Sequence, residues 1–188
     1  QARKSTVMAS KEEAWAIAAE LVKRGVFRIA DDDEEVLDGE GNPVTAGLFG
    51  IGKGKWPEGF EGSDLHEILR LIINLIGSND LMDDLQGETS TLPYLGQWRA
   101  ISLEKGCWYH WSGEDLRCAF YLLRLPKPWG KFFVINMWIP GHLLGSPRAW
   151  ERVCCNVVPM GWKLAVAVAQ HCLRRLAAHS EALPPSLE

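Results

Sequence analysis

The chain has 188 residues, of which 47% are hydrophobic, so it can bury the core of an ordinary domain and is not a disordered tail. Its formal net charge of −4 argues against the broadly positive surface that general nucleic-acid-binding proteins have. The five cysteines contain no Cys-x-x-Cys pair, which argues against a zinc ribbon. With neither a signal peptide nor a long apolar span, the chain is expected to be intracellular, nuclear or cytoplasmic, without a membrane span.

The first half of the chain combines one strong helix signal with several short strand signals. Ser10 and Glu13 form a capping box, which predicts that a helix begins directly after Ser10. A turn-forming segment at 38–43 predicts a hairpin around it. The predicted elements are a helix ending at Gly25, a strand at 26–29, a solvated acidic loop at 31–35, a hairpin joining 36–37 to 44–45, and strands at 48–51 and 69–76.

The second half predicts further alternation of strands and helices. In chain order these are a short helix or strand within 95–104, a strand at 107–111, a short helix at 116–125, strands at 132–139 and 152–158, and a long helix at 161–179. The predicted fold class is therefore α+β, with small antiparallel sheets packed with helices and a sheet within 107–158. No repeat or linker divides the chain, so residues 1–188 are expected to form a single region.

Asp115 lies between the predicted strand at 107–111 and the predicted helix at 116–125. Its carboxylate has two possible roles. It can accept hydrogen bonds as the N-cap of that helix, which requires no metal and is the interpretation that spacing alone favours. It can also bind Mg²⁺, which prefers hard carboxylate oxygens.

The segment from Asp115 to Tyr121 resembles the first catalytic block of reverse transcriptases. The resemblance implies that Asp115 is a catalytic residue and Mg²⁺ ligand. It also implies that Phe120, five residues later, closes the sugar pocket against a 2′-hydroxyl.

A second segment, from Val158 through Trp162 and on to Gln170, resembles the next block of the same family. The resemblance implies that Gly161 lets the backbone approach the nucleotide and that Gln170 lies on the template side. Met160 stands where the retroviral pattern has Gln, and a thioether cannot donate the hydrogen bond of an amide. The alternative is a loop-to-helix junction in which Trp162 anchors the core.

Two earlier segments resemble the fingers region of the family. Residues 49–55 resemble the strand and loop that carry a phosphate-binding lysine, which implies this role for Lys53, with Lys55 as second choice. Arg70 matches the arginine that binds the triphosphate, a suitable group because its guanidinium is permanently charged. The strand departs from the family at Asn74 and Ile76. The alternative for both cations is solvated side chains at strand ends.

The resemblance covers residues 48–170 and implies a right-hand polymerase, with fingers over about 1–106 and part of the palm over about 107–188. The implied function is RNA-directed DNA synthesis of retroelement origin, using Mg²⁺, deoxynucleoside triphosphates and an RNA or DNA template-primer. No paired aspartates follow Gln170, so the chain is expected to be inactive alone, and a protein partner would cover the incomplete palm.

Two other functions stay open. One is a non-catalytic polymerase-like scaffold or subunit in a larger assembly, which the acidic balance favours. The other is RNA binding through residues 117–131, where four basic residues occur without an acidic one.

Overall fold

The computed structural model describes residues 2–52, 69–84, 101–108 and 118–179, together with Leu92, Gly96 and Leu116. These residues have the predicted α+β character, with helices and small antiparallel sheets. Two compact units are distinguished, one formed by residues 1–83 and 120–163 and the other by residues 84–119 and 164–188. No helix among the described residues is long and apolar enough to cross a bilayer.

The described residues form three α-helices and six strands. In chain order they are α1 (Lys11–Lys23), β1 (Phe27–Ile29), β2 (Gly47–Gly52), β3 (Leu69–Asn74), α2 (Ile76–Asp80), β4 (Ile139–Pro140), β5 (Trp150–Glu151), β6 (Val153–Cys155) and α3 (Ala165–His179). Three 3-10 helices are also described: Ala119–Leu122, Lys127–Phe133 and Gly141–Leu144. The strands pair antiparallel as β1–β6, β2–β3 and β4–β5.

Helix α1 begins and ends where the sequence predicts. The Ser10 hydroxyl accepts the N–H of Glu13 at 3.3 Å, and the Glu13 carboxylate accepts the N–H of Ser10 at 3.1 Å, so the capping box is complete. Gly25 follows the helix with a φ of +72°, a left-handed conformation that glycine adopts without a side-chain penalty. Ala14 and Ala18 form the buried side of the helix.

The core of the first unit is built on the pairing of β1 with β6. Phe27 lies opposite Cys155, and Ile29 lies opposite Val153. Val134 forms an isolated bridge with Cys154 on the same strand. The sequence predicted that the strand at 152–158 would join a sheet within 107–158. Antiparallel pairing within that range is present in part, in the β4–β5 pair and in isolated bridges of Val134 with Cys154 and Arg124 with Val157. The regular ladder of β6, however, is with β1 near the start of the chain, and all three residues of β6 are buried.

Several predicted element bounds are wrong. The predicted strand at 132–139 begins instead within the 3-10 helix Lys127–Phe133, and only Ile139 lies in a regular strand. The predicted helix at 116–125 is reduced to one turn, Ala119–Leu122, among its described residues. The predicted strand at 69–76 ends at Asn74, whose side-chain oxygen accepts the N–H of Ile76 at 3.2 Å as α2 begins.

In the second unit, helix α3 spans Ala165–His179, four residues shorter at its start than the predicted helix at 161–179. Residues 101–104 and 107–108 have neither helical nor strand structure. They belong to the segments predicted as a helix or strand at 95–104 and as a strand at 107–111. The other residues of those two segments lie outside the described part of the chain, except Gly96.

The predicted turn at 38–43 is organised by the carboxylate of Asp38. That carboxylate accepts the N–H groups of Glu40 and Asn42, each at 2.9 Å, and the N–H of Ala2 at 3.2 Å. Across the turn, Val44 donates its N–H to the carbonyl of Val36 at 2.8 Å. The hairpin prediction is therefore confirmed, with an acceptor-rich aspartate at its centre.

We expect acid to weaken the fold through Asp38. Hydrogen bonds from the N–H of Asn42 and then from Glu40 and Ala2 outweigh the opposing effect of desolvation and lower the pKa of Asp38 to about 2. Because the pKa of an unfolded aspartate is about 3.9, this stabilisation is present above that pH and lost as the pH falls towards about 2. Urea midpoints of the native chain and Asp38→Asn should therefore differ at neutral pH and converge in acid. A difference that is independent of pH would contradict this.

Candidate functional site

The β2–β3 hairpin determines the position of Arg70. In the antiparallel register, Arg70 lies opposite Ile51 and Leu69 lies opposite Gly52. Arg70 is exposed. Gly52, the last residue of β2, lies at the same end of the hairpin as Arg70. Lys53 and Lys55, which follow it in the sequence, lie outside the described residues. The Arg70 side chain is therefore exposed to solvent at the end of the hairpin where β2 ends, one residue before Lys53 in the sequence.

The chain after Phe120 lies beside the chain before Gly161. Leu123 donates its N–H to the carbonyl of Phe120 at 3.2 Å, and its own carbonyl accepts the N–H of Val158 at 2.8 Å. Arg124 forms an antiparallel bridge with Val157. Phe120 itself is half-buried. The two segments that resemble the reverse transcriptase blocks, which are about forty residues apart in sequence, are thus hydrogen-bonded neighbours.

Gly161 is held against β3 in a conformation that requires glycine. Its φ is +110°, and a Cβ at this position would collide with the carbonyl oxygen of Ile73. Met160, next to it, accepts the N–H of Ile73 through its backbone carbonyl at 3.4 Å. The freedom of Gly161 therefore allows a close approach between two backbone segments.

Asn79 fixes the same loop from the side of α2. Its side-chain amide donates to the carbonyl of Gly161 at 2.9 Å, and its side-chain oxygen accepts the N–H of Lys163 at 3.0 Å. One residue thus satisfies both a backbone acceptor and a backbone donor of the loop. The sequence analysis did not identify Asn79, because its partners lie more than 80 residues away.

Trp162 anchors this loop in an aromatic cluster, as the structural alternative predicted. The centre of its ring is 5.5 Å from that of Trp129 and 5.3 Å from that of Phe133. Both pairs have the edge-to-face geometry that aromatic rings prefer. Its indole N–H points to the sulfur of Met82 at 3.0 Å. Trp162 is only 5% exposed, so its role as a core anchor is confirmed. This packing holds Gly161 and is compatible with a role for Gly161 itself in binding.

Two other predicted site residues, Asp115 and Gln170, belong to the second unit. Asp115, the predicted metal ligand, lies outside the described residues. Gln170 lies on α3, in the second unit, and is half-buried. Among the residues that the structure describes, no group of three or more His, Cys, Asp or Glu side chains could hold a metal ion.

The ion pairs of the acidic segment were not predicted from the sequence. Residues 31–35 were predicted to be a solvated loop, yet Glu34 is buried and binds Arg28 through both carboxylate oxygens. The prediction was wrong for Glu34, because a run of like charge does not reveal where the compensating cations lie. The only local signal was Arg28 itself, six residues before Glu34.

No protein-family model matches this chain, and no curated protein matches it with significance. The geometry of the first unit therefore carries the functional interpretation. It brings Arg70, Phe120 and Gly161 into one unit, with the segments of Phe120 and Gly161 hydrogen-bonded to each other and Gly161 packed on the strand that bears Arg70.

Proposed function

We propose that this chain is the nucleotide-binding half of an RNA-directed DNA polymerase of retroelement origin, with the fold of polymerase fingers and part of a palm. The observation that supports it is the meeting of three segments: the hairpin of Arg70, the strand pairing after Phe120, and the loop of Gly161 on β3. These segments were identified separately in the sequence by resemblance to one family. Their convergence in one unit is what a shared nucleotide site requires.

The proposed roles follow from the chemistry of each group. Arg70, with Lys53, binds the triphosphate of the incoming nucleotide, since a guanidinium pairs with two phosphate oxygens at once. Phe120 lies against C2′ of the sugar and leaves no room for a hydroxyl. Gly161 presents backbone without a side chain to the base, and Gln170 contributes on the template side.

Magnesium, bound to Asp115, would stabilise the charge on the phosphates and on the oxygens that attack and leave during nucleotidyl transfer. One carboxylate does not hold two ions in the clamp that such transfer uses. We therefore propose that these 188 residues bind the nucleotide, while transfer requires carboxylates in addition to Asp115. Template-primer and a protein partner at the palm belong to the same proposal.

The test is nucleotide binding by the 188-residue chain. A fluorescent deoxynucleoside triphosphate with Mg²⁺ is titrated with native protein and with Arg70→Ala, and anisotropy is measured. Loss of a charge-assisted contact to phosphate is expected to weaken binding about tenfold or more, since such contacts contribute roughly 1.5–3 kcal/mol. Arg24→Ala is the matched control, because Arg24 is exposed and pairs with Glu20 on α1.

The sugar gives a second readout from the same titration. The matched ribonucleoside triphosphate is expected to bind the native chain more weakly, because of the proposed position of Phe120. Equal weakening by Arg70→Ala and Arg24→Ala would overturn the assignment of Arg70. Absence of any nucleotide binding by folded native protein would overturn the proposal and favour the non-catalytic scaffold.

A further inference from the structure

The acidic loop, residues 31–35, contacts cations from several parts of the first unit. Apart from Asp33, each acidic residue of the loop pairs with a different basic residue. The pairs are Asp31 with Lys127 at 2.7 Å, Asp32 with Arg148 at 2.5 Å, Glu34 with Arg28, and Glu35 with Arg152 at 3.1 Å. Three of these basic residues follow the loop by roughly a hundred residues. The loop therefore lies across a surface on which basic side chains converge from distant segments.

The ion pairs of the loop differ in how far they are exposed to solvent. The side chains of Arg28 and Glu34 are only 20% and 10% exposed, and the Asp31 N–H also donates to Glu34 at 2.8 Å. By contrast, the side chains of Arg148 and Asp32 are 55% and 77% exposed. Exposed pairs contribute roughly 0–1 kcal/mol each. The Lys127–Asp31 and Arg148–Asp32 pairs can therefore open at small cost. The Arg28–Glu34 pair keeps the base of the loop in place, and the Arg152–Glu35 pair is intermediate, because the Arg152 side chain is only 19% exposed.

Exposed tryptophans lie next to one of these cations, Arg152. The Arg152 guanidinium lies 5.3 Å from the centre of the Trp138 ring, a cation–π contact. Trp150 precedes Arg152 by two residues, which places both side chains on one side of an extended segment. Trp138 is 58% exposed and Trp150 is 50% exposed. Exposed apolar surface, where it is contiguous, is typical of interaction sites.

A cavity extends this aromatic surface. Its volume is about 760 Å³, and Trp15, Trp138 and Trp150 line it together with Lys11. The Trp15 indole donates to the carbonyl of Trp138 at 2.9 Å, and its ring lies 6.0 Å from that of Trp150. These contacts fix the orientation of the tryptophans in advance of any ligand, which lowers the entropic cost of binding one.

We propose that Lys127, Arg148, Arg152, Trp138 and Trp150 form a binding surface for single-stranded nucleic acid, and that the acidic loop covers its cations until a strand displaces it. This surface, the cation–tryptophan surface, includes none of the residues assigned to the nucleotide site. The proposal therefore stands or falls independently of polymerase function. It also differs from RNA binding through the segment 117–131, because only Lys127 is shared with that segment.

Single strands fit the surface better than other polyanions. Their bases are free to stack on tryptophan, while their phosphates pair with arginine and lysine, and each stacked base contributes roughly 1–3 kcal/mol. A duplex hides its bases, and a simple anion has none. The carboxylates of the loop occupy the positions of the phosphates, so the loop and a strand compete for the same cations.

The test removes the outer carboxylates and retains Glu34. Binding of a labelled single-stranded oligouridylate is measured by anisotropy for native protein and for Asp31→Asn/Asp32→Asn/Glu35→Gln. We expect the triple variant to bind at least tenfold more tightly at low salt. With about three additional phosphate contacts, its log–log salt dependence should be steeper by about 2.

A matched triple variant controls for net charge. Glu40→Gln/Asp83→Asn/Glu104→Gln removes the same number of exposed acidic residues elsewhere, and native-like affinity is expected. Equal tightening in both variants would show that net charge alone acts, and would overturn the covering role of the loop. If the triple variant does not fold, Asp32→Asn alone removes the nearer of the two carboxylates beside Arg148, the other being Glu151 at 3.8 Å, and a smaller gain in affinity is expected.

The tryptophans are tested in the triple-variant background. Trp138→Ala and Trp150→Ala should each weaken binding about fivefold or more, whereas Trp108→Ala should not, although Trp108 is 81% exposed. A competing duplex of the same length should bind more weakly than the single strand. If Trp138→Ala and Trp150→Ala bind as Trp108→Ala does, stacking is excluded and the proposal fails.

Discussion

Gly161→Ala is expected to destabilise the protein by roughly 3 kcal/mol or more. A residue with a Cβ at a φ of +110° is strained, at a cost of about 1–2 kcal/mol. The new methyl group would also collide with the carbonyl oxygen of Ile73, which is backbone and cannot turn aside. Forcing that contact adds roughly 1–3 kcal/mol of overpacking. Urea unfolding followed by tryptophan fluorescence measures the loss.

Gly145→Ala separates the two causes. Gly145 also has a positive φ, +70°, but nothing lies within 4 Å of the position of its missing Cβ. It should therefore show the conformational penalty without the collision, about 1 kcal/mol. Equal destabilisation by the two substitutions would mean that the loop moves away from β3 freely, and that Gly161 does not require its close contact with Ile73.

The elements that the sequence predicted well depend on neighbours along the chain. The capping box of Ser10 and Glu13 and the stop at Gly25 each involve residues within a few positions, and both are present. The Asp38 turn is equally local, since its carboxylate accepts N–H groups two and four residues ahead. Local hydrogen bonding of this kind can be inferred from residue type and spacing alone.

The elements that the sequence misplaced depend on distant contacts. The apolar residues at 132–139 read as a strand, but Phe133 packs against the Trp162 ring and ends a 3-10 helix there. An apolar run specifies burial, and tertiary packing decides which backbone conformation achieves it. The strand β6 likewise finds its partner in β1, more than 120 residues earlier.

The candidate site shows the same difference between local and distant contacts. The alternative that placed Arg70 at a strand end is consistent with its position near the start of β3. The resemblance implied that Gly161 approaches a nucleotide, whereas the close approach that the structure shows is to the carbonyl of Ile73. Residue types could not predict Asn79, whose amide holds the Gly161 loop, because an asparagine in a short helix carries no signal of its partner. Nor could they predict that the acidic loop faces arginines 116 and 117 residues away.

Glu34→Gln is expected to cost roughly 3 kcal/mol of unfolding free energy at neutral pH. The substitution keeps the shape of the side chain but removes the charge that compensates the half-buried Arg28 guanidinium. It also weakens the acceptor for the N–H of Asp31. Glu20→Gln on α1 is the matched control, because its partner Arg24 is 69% exposed, and a change within about 0.5 kcal/mol is expected.

The same pair predicts a pH dependence. Desolvation would raise the pKa of Glu34, but the hydrogen bonds from Arg28 and from the N–H of Asp31 outweigh it and hold the pKa below its ordinary value. Stability from a lowered carboxyl pKa is present above the unfolded value, about 4.3, and is lost as the pH falls through the folded value. The difference between native protein and Glu34→Gln should therefore narrow in acid.

Glu34 also links stability to the cation–tryptophan surface. If the Arg28–Glu34 pair holds the base of the acidic loop, Glu34→Gln should loosen the loop and tighten binding of single-stranded oligouridylate as it lowers stability, whereas Glu20→Gln should change neither. If Glu34→Gln lowers stability but leaves the affinity for oligouridylate unchanged, Glu34 has a structural role only. The carboxylates of Asp31, Asp32 and Glu35 would then be sufficient to cover the cations. A folded Glu34→Gln with native stability would contradict the anchoring role itself.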